Sequence, residues 1–210
     1  MIKVLIADDH AVVRRGLRQI LSEVPEILVG GEAANAQEVR DCVRAERWDV
    51  IVLDINMPGA SGIELLGELR RDHPASRVLI LTVSPEDQYA VRSIKAGAAG
   101  FLTKESAPEK LIEAVRKVAG GGRYVSPELA EALASLFAGE GGGAPHERLS
   151  DREFEVLKML ASGKTVSQVA LELGLSVKTV STHRTRILKK MDMRTNAELT
   201  HYAMKSRIVD

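Results

Sequence analysis

Carboxylates stand at the ends of two short apolar runs in the N-terminal half of the chain. The first run, Lys3–Ala7, stops at Asp8 and Asp9, and the second, Val50–Leu53, stops at Asp54. Runs rich in Val, Ile and Leu are typical of buried strands in a parallel sheet. Ligands of such sheets bind where the strands end. The spacing therefore predicts three carboxylates at one edge of a sheet.

Three clustered carboxylates repel one another unless a positive charge lies among them. Their oxygen atoms are ligands that a hard divalent cation such as Mg²⁺ prefers. The sequence thus predicts a metal site built from Asp8, Asp9 and Asp54. Either Asp8 or Asp9 alone could instead cap the helix expected from Ala11 onwards, so the metal interpretation depends on the three acids together.

The first 120 residues alternate strand-like and helix-like patterns. Strands are predicted near residues 3–7, 27–32, 50–53, 78–82 and 100–102, and helices near residues 11–23, 36–46, 62–71, 86–96 and 108–119. Pro58-Gly59 marks a tight loop before the third helix, and Pro85 and Pro108 suit the first turn of a helix. Five βα units with short loops favour an α/β fold, a doubly wound parallel sheet with helices on both faces.

Glycines divide the chain into two domains. Gly120–Gly122 ends the fifth helix, a sixth helix is expected over residues 127–137, and the glycine-rich run 139–145 is typical of a flexible linker. We therefore expect a first domain over residues 1–120, a linker over 121–147 and a second domain over 148–210.

The second domain is predicted to be a small all-α domain of four helices. Capping boxes of the Ser/Thr-x-x-Glu/Gln type begin at Ser150, Thr165 and Thr195, and Ser176 can cap a further helix. The second and third helices are separated by the glycine-containing turn 173–176. A short helix, such a turn and a longer helix make a helix-turn-helix.

Charge is distributed unevenly along a chain whose net charge is zero. Residues 148–210 carry 12 Lys/Arg and 7 Asp/Glu, a net charge of +5, and the remainder carries −5. A basic second domain favours an anionic partner. No apolar run approaches the ~18 residues that span a bilayer. The single cysteine excludes an internal disulfide, so we expect a cytoplasmic protein that contacts no membrane.

Four motifs of the first domain occur together and in order. They are Asp8-Asp9, Asp54 followed by Met57-Pro58-Gly59, Thr82 at the end of the fourth strand and Lys104 just after the fifth. This pattern resembles the receiver domains of two-component response regulators, and the resemblance implies a flavodoxin-like fold of five parallel strands. Transfer of a phosphoryl group to a carboxylate needs an oxygen nucleophile and neutralisation of the phosphoryl charge.

The resemblance assigns a role to each residue of the predicted site. It implies that Asp54 accepts a phosphoryl group from a sensor histidine kinase. Mg²⁺ would be held by Asp8, Asp9, Asp54 and the backbone carbonyl of Asn56. Lys104 and Thr82 would then contact the phosphoryl group. Phe101 occupies the position of an aromatic residue that switches between buried and exposed rotamers as the threonine moves.

The second domain resembles the helix-turn-helix of the LuxR/NarL/FixJ group. The resemblance rests on Leu149-Ser-Asp-Arg-Glu153, Leu173-Gly-Leu-Ser176, Thr179-Val180 and Lys189-Lys190-Met191. It implies that the third helix, residues 177–191, enters the major groove of double-stranded promoter DNA. Helical spacing predicts that this helix turns four apolar residues to its own core, namely Val177, Val180, Ile187 and Met191.

The remaining side chains of this helix are candidate DNA contacts. The polar face offers Lys178, Thr182, Thr185 and Lys189, flanked by Ser181 and Arg186. Arg184, Lys189 and Lys190 are expected to contact phosphates, as are Lys164 and Thr165 near the start of the preceding helix. Ser181 stands where the group often has lysine, and 165–170 departs from its common sequence. DNA sequence preference therefore cannot be transferred from relatives.

Together the two resemblances predict a transcription regulator rather than an enzyme. Phosphorylation would favour a homodimer that binds promoter DNA, with RNA polymerase as a further candidate partner. One alternative is a constitutive DNA-binding protein whose receiver is a dimerisation scaffold. Another is an Mg²⁺-dependent phosphohydrolase of the haloacid dehalogenase type. Those enzymes carry the nucleophile on the first strand in an Asp-x-Asp pattern, whereas here the first strand ends in adjacent aspartates.

Overall fold

The computed structural model describes residues 1–57, 62–82, 86–137, 144–206 and 208–209. The chain forms two compact units, residues 1–138 and 139–210. The tight loop predicted at Pro58-Gly59, the position predicted for Pro85 and most of the glycine-rich run lie outside the described residues. Within the described ranges, no helix combines the length and apolar character needed to cross a bilayer.

The first unit is built on a five-stranded parallel sheet. Its strands are β1 (Ile2–Ala7), β2 (Ile27–Ala33), β3 (Val50–Asp54), β4 (Arg77–Thr82) and β5 (Gly100–Thr103), in the order β2-β1-β3-β4-β5. The central strands are buried along almost their whole length, as expected for a parallel sheet covered on both faces. The predicted fold class is confirmed, and every strand lies within one or two residues of its predicted limits.

Helices follow the strands and cover both faces of the sheet. They are α1 (Ala11–Ser22), α2 (Ala36–Ala45), α3 (Gly62–Asp72), α4 (Glu86–Ala96) and α5 (Ala107–Ala119). Two apolar clusters separate the layers, one under α2, α3 and α4 and the other under α1 and α5. Because the strands are parallel, β1, β3, β4 and β5 all end at the same edge of the sheet.

A sixth helix, α6 (Pro127–Phe137), belongs to the first unit. The segment before it lies against the outer edge of β5, where the N–H of Tyr124 donates to the carbonyl of Ala99 over 2.9 Å. The hydroxyl of Ser126 then accepts from the N–H of Leu129 over 3.2 Å. Leu129 is buried in the same apolar cluster as Phe101 and Ile94, so α6 packs beside α4 and covers this end of the sheet.

The second unit consists of a short 3₁₀ turn (Pro145–Arg148) and four α-helices. The helices are α7 (Asp151–Ala161), α8 (Val166–Glu172), α9 (Val177–Lys190) and α10 (Asn196–Lys205). Side chains of Ser150, Thr165, Ser176 and Thr195 each accept from the backbone N–H three residues later. Helix α9 packs against α7 and α8, which completes the predicted helix-turn-helix.

Candidate functional site

Strand ends bring Asp8, Asp54 and Lys104 together. Asp8 follows β1, Asp54 is the last residue of β3, and Lys104 follows β5. The Nζ atom of Lys104 lies 2.6 Å from Oδ2 of Asp8 and 2.6 Å from Oδ2 of Asp54. Both carboxylates are buried, at 0% and 2% exposure. One ammonium group therefore bridges two buried carboxylates at the edge of the sheet.

A glycine at the start of α3 allows this helix to lie close to the backbone that follows Asp54. A Cβ atom at Gly62 would lie 2.5 Å from the Cα of Ile55, so no larger residue fits without movement. The N–H of Asn56 donates to Oδ1 of Asp54 over 2.9 Å. Together with Lys104 on Oδ2, this contact fixes the orientation of the Asp54 carboxylate.

Asp8 and Asp9 do not act as the side-chain cap of α1. The N-cap position is His10, which makes no capping hydrogen bond. Oδ1 of Asp8 accepts instead from the N–H of His10 over 2.8 Å, and Nδ1 of His10 lies 2.6 Å from Oδ1 of Asp9. Neither aspartate therefore caps α1, although each could have done so alone.

Sequence reasoning missed two residues beside the acids. His10 presents a ring nitrogen within 4.8 Å of oxygen atoms of Asp8, Asp9 and Asp54. Nη1 of Arg14 donates to the carbonyl oxygen of Asp8 over 2.7 Å. The position of His10 directly after the aspartate pair was a usable signal, whereas the reach of Arg14 depends on how α1 packs.

Burial and charge shift the pKa values of the central ion pair. Burial raises the pKa of Asp54, helped by the nearby charge of Asp8, and the contacts with Asn56 and Lys104 only partly offset it. Burial alone would lower the pKa of Lys104, but its hydrogen bonds and charge interactions with Asp54 and Asp8 outweigh burial and raise it. Lys104 therefore stays protonated and favours the ionised form of Asp54.

Thr82 lies next to this pair, and Phe101 lies on β5, three residues before Lys104. Thr82, the last residue of β4, is fully buried, and Nδ2 of Asn56 lies 3.4 Å from its hydroxyl oxygen. The N–H of Lys104 donates to the carbonyl of Thr82 over 2.7 Å. Phe101 has 1% exposure and belongs to the same apolar cluster as Leu129 of α6. The structure thus brings together Asp8, Asp9, Asp54, Asn56, Thr82 and Lys104, whereas Phe101 lies in the apolar core.

The donor set suits a hard divalent cation. Carboxylate oxygens of Asp8, Asp9 and Asp54 lie within 4.8 Å of one another, together with His10. Three carboxylates against the single Lys104 ammonium leave an excess of negative charge at the pocket. Asp9 is the most exposed of the three, with a side chain 31% accessible, so the cluster opens to solvent on its side.

Helix α9 presents a polar face to solvent. Lys178, Ser181, Thr182, Thr185, Arg186 and Lys189 are all exposed, as predicted. Val180, Ile187 and Met191 are buried, which confirms the apolar stripe. The assignment of Val177 to that stripe was wrong, because Val177 is 51% exposed. It is the first residue of the helix, at the margin of the stripe, where no preceding turn covers it.

Other predicted DNA contacts have partners within the second unit. Nζ of Lys190 donates to Oε2 of the buried Glu153 over 2.6 Å, and Nε of Arg184 donates to Oδ1 of Asn196 over 2.6 Å. Lys164 pairs with Glu172 at the ends of α8. The hydroxyl of Thr165 serves as the cap of α8. These residues have structural roles whether or not they contact DNA.

Both units match known protein families. Residues 4–116 match the response regulator receiver domain, and residues 147–203 match the bacterial regulatory proteins of the luxR family. The chain is a response regulator. Its receiver contains the acidic pocket, and its LuxR-type domain contains α9.

Two response regulators align with this chain along nearly its whole length. The response regulator GacA of Pseudomonas aeruginosa is 36% identical over 211 residues, which cover 100% of this chain and 99% of GacA. The response regulator UvrY of Escherichia coli K12 is 35% identical over 206 residues, covering 98% of this chain and 94% of UvrY.

A solved structure of a response regulator is similar in fold. RcsB from Salmonella enterica serovar Typhimurium, bound to the rprA promoter in the presence of the phosphomimetic BeF₃⁻, has a TM-score of 0.70. It shares 26% sequence identity with the response regulator described here and covers 96% of this chain and 97% of its own.

Proposed function

We propose that this response regulator receives a phosphoryl group on Asp54 from a sensor histidine kinase, and that the phosphorylated protein binds promoter DNA to regulate transcription. The observation that carries the proposal is the bridge from Lys104 to Asp8 and Asp54 at the carboxyl ends of three strands. Such a bridge places a nucleophilic carboxylate beside the charges that a phosphoryl group requires.

Phosphoryl transfer to Asp54 is a single displacement at phosphorus, in which one bond forms and one breaks. An oxygen of the ionised Asp54 carboxylate forms the new P–O bond while the bond from phosphorus to the kinase histidine nitrogen breaks. Lys104 favours the ionised, nucleophilic form of Asp54 against the effect of burial. Its ammonium then contacts a phosphoryl oxygen in place of Oδ2, and the hydroxyl of Thr82 donates to another oxygen.

Mg²⁺ fits the pocket through Asp8, Asp9, Asp54 and the carbonyl of Asn56. Bound there, it would neutralise charge on the transferring phosphoryl oxygens. Asp8 is fully buried and Asp9 partly exposed, so the Asp8 carboxylate would hold the ion from inside the protein and the Asp9 carboxylate from the solvent side. His10 holds Asp9 at 2.6 Å and orients that second carboxylate.

DNA binding is assigned to the exposed face of α9. Lys178, Arg186 and Lys189 project from this face without a described ion pair, so they can meet phosphates or base edges. A single small domain of this kind gains affinity when two copies bind linked half-sites. We therefore propose that phosphorylation favours a homodimer on promoter DNA, in a cytoplasmic protein that RNA polymerase can contact there.

The phosphorylation step is tested by labelling the full chain with a small phosphodonor and Mg²⁺. We expect one acid-stable, hydroxylamine-labile phosphoryl group, as an acyl phosphate requires, and none in Asp54→Asn. Asp41→Asn changes an exposed aspartate of α2 and serves as the matched control, which should label normally. Persistent single-site labelling of Asp54→Asn would contradict the assignment.

A second assay, incubation with a phosphomonoester, separates this proposal from an enzyme. A phosphohydrolase would release inorganic phosphate continuously from a phosphomonoester, whereas a switch takes up phosphate stoichiometrically and loses it slowly. The architecture of the pocket also disfavours the constitutive scaffold, since a scaffold does not require a buried Lys104 bridge between two carboxylates.

A further inference from the structure

Helix α9 carries a neutral stripe within its otherwise basic exposed face. Val177, Ser181 and Thr185 follow one another at four-residue intervals and are all exposed. Residues four apart on a helix lie on the same side. The cations Lys178 and Arg186 lie beside this stripe, and Lys189 follows Thr185 at the next four-residue interval. The exposed face is therefore not uniformly cationic, and its neutral stripe begins with an apolar side chain at the first residue of the helix.

Val177 contributes little to folding in this position. It is 51% exposed, while its neighbour in the apolar pattern, Val180, is fully buried. Valine is also a weaker helix former than alanine because branching at Cβ restricts its rotamers. A half-exposed valine at the start of a helix thus stabilises neither the core nor the helix.

The hydroxyl groups of Thr182 and Thr185 on this face are already committed as donors. The hydroxyl of Thr185 donates to the carbonyl of Ser181 over 3.0 Å, and that of Thr182 donates to the carbonyl of Lys178 over 2.9 Å. Each oxygen keeps acceptor capacity only. In the major groove, acceptors match the amino groups of adenine and cytosine, and the sole apolar group is the C5-methyl of thymine.

We infer that Val177 is a specificity-determining residue that contacts the C5-methyl group of a thymine in each half-site. The N-terminal residues of a reading helix are the ones that meet base edges. The side chain of Val177 provides two methyl groups at that end and offers nothing to guanine or cytosine. This inference rests on DNA binding by the C-terminal unit and adds to it the base that the neutral stripe recognises.

The test uses uracil, which differs from thymine only by lacking this methyl group. Full-length protein first selects binding sites from a random-sequence duplex library in the presence of beryllium fluoride and Mg²⁺. Each thymine of the selected duplex is then replaced singly by deoxyuridine, and affinity is measured by fluorescence anisotropy. We expect one replacement per half-site to weaken wild-type binding about fourfold, the effect of burying one methyl group.

The Val177→Ala variant tests whether the effect of the thymine methyl group depends on Val177. It should bind the parent duplex more weakly than wild type does. Replacing the same thymine by deoxyuridine should not weaken its binding further. Its melting temperature should equal that of wild type. Met204→Ala removes an equally exposed apolar side chain from α10 and should retain the full uracil effect. If Val177→Ala fails to fold, Val177→Ser, which also removes both methyl groups, takes its place.

The outcomes are distinguishable. A selected duplex without thymine, wild-type binding indifferent to every deoxyuridine, or an equal uracil effect in Val177→Ala would overturn the inference and leave DNA binding intact. Failure to select any duplex would instead contradict the proposed function itself.

Discussion

The backbone N–H of Phe101 donates a 2.9 Å hydrogen bond to the carbonyl oxygen of Tyr124. Through this bond and its reciprocal at Ala99, the segment leading to α6 extends the sheet beyond β5. Phe101 is 1% exposed and lies in the same buried apolar cluster as Leu129 of α6. An exposed rotamer of Phe101 would have to leave this cluster, so we predict that the switch of Phe101 is coupled to movement of α6.

Phosphorylation should therefore loosen the segment 124–133. We expect hydrogen–deuterium exchange of its amides to speed up when the protein is treated with beryllium fluoride and Mg²⁺. Leu129→Ala should produce the same exchange without treatment and destabilise the first unit by about 2–5 kcal/mol, the usual cost of deleting a buried leucine. Glu131→Ala, on the exposed side of α6, is the control. If exchange is unaltered in the treated wild-type protein, Phe101 and α6 do not take part in the response to phosphorylation.

Asp54→Asn should stabilise the metal-free receiver at neutral pH. The raised pKa of Asp54 means that its ionised form is disfavoured by folding, so stability falls as pH rises from 3.8 through the folded-state pKa. Asparagine removes that cost, and Lys104 keeps Asp8 as a partner. The gain, measured by calorimetry, should shrink as pH approaches 3.8. A loss of stability at pH 7 would show that the Lys104–Asp54 pair outweighs burial.

The acidic pocket was predictable because it follows from sheet geometry. Apolar runs mark parallel strands, and their ends meet at one edge whatever the details of packing. Distances within the pocket were not predictable, since the 2.6 Å contacts of Lys104 depend on how the loop after β5 returns. The place of Tyr124 beside β5 was also missed, because a bridge made by a single residue leaves no periodic pattern.

In the second unit, hydrophobic periodicity predicted burial correctly for residues inside α9 and incorrectly for its first residue. Val177 lies roughly 60° from Val180 around the helix at about 100° per residue, so spacing alone permits a buried position. Being the first residue of α9 leaves it uncovered on one side. The partners of Lys190 and Arg184 were invisible in the sequence, because Glu153 and Asn196 reach them only after α7 and α10 pack against α9.

The neighbouring residues Lys189 and Lys190 of α9 should have different roles, the first in DNA binding and the second in stability. Lys190 pairs with Glu153, which also accepts from the N–H of Ser150 at the start of α7. Lys190→Met should destabilise the second unit by about 1–3 kcal/mol, since it leaves Glu153 buried without its cation. Lys189→Met should leave stability unchanged and weaken DNA binding. Urea unfolding and anisotropy of each variant test this, and equal stabilities would mean that the Glu153 pair contributes nothing.

The stability from Glu153 should depend on pH in a defined direction. Burial raises the pKa of Glu153, but hydrogen bonds from Lys190 and Ser150 outweigh it and lower the pKa below its ordinary 4.5. A lowered folded-state pKa gives stability that is present above 4.5 and lost as pH falls through the folded value. The difference in unfolding free energy between wild type and Glu153→Gln should accordingly narrow below pH 4.5. A constant difference would point to lost hydrogen bonds rather than charge.

Lys178 should contribute electrostatically to DNA binding. Lys178→Ala should weaken binding to all duplexes by a similar factor and reduce the slope of log affinity against log salt by about 1, the release of one counterion. Lys205→Ala removes an exposed lysine from α10 and should leave the slope unchanged. Equal slopes for wild type and Lys178→Ala would exclude Lys178 from the interface.

The central claim is that the state of Asp54 controls DNA binding. The most direct measurement compares the affinity of the full chain for a selected duplex with and without phosphodonor, at constant Mg²⁺ and salt, alongside Asp54→Asn and Asp41→Asn. We expect donor to raise the affinity of wild type and Asp41→Asn at least about tenfold, since pairing of two domains adds avidity. It should leave Asp54→Asn unchanged. Equal affinity of fully phosphorylated and untreated wild type would contradict the account and favour a constitutive DNA-binding protein.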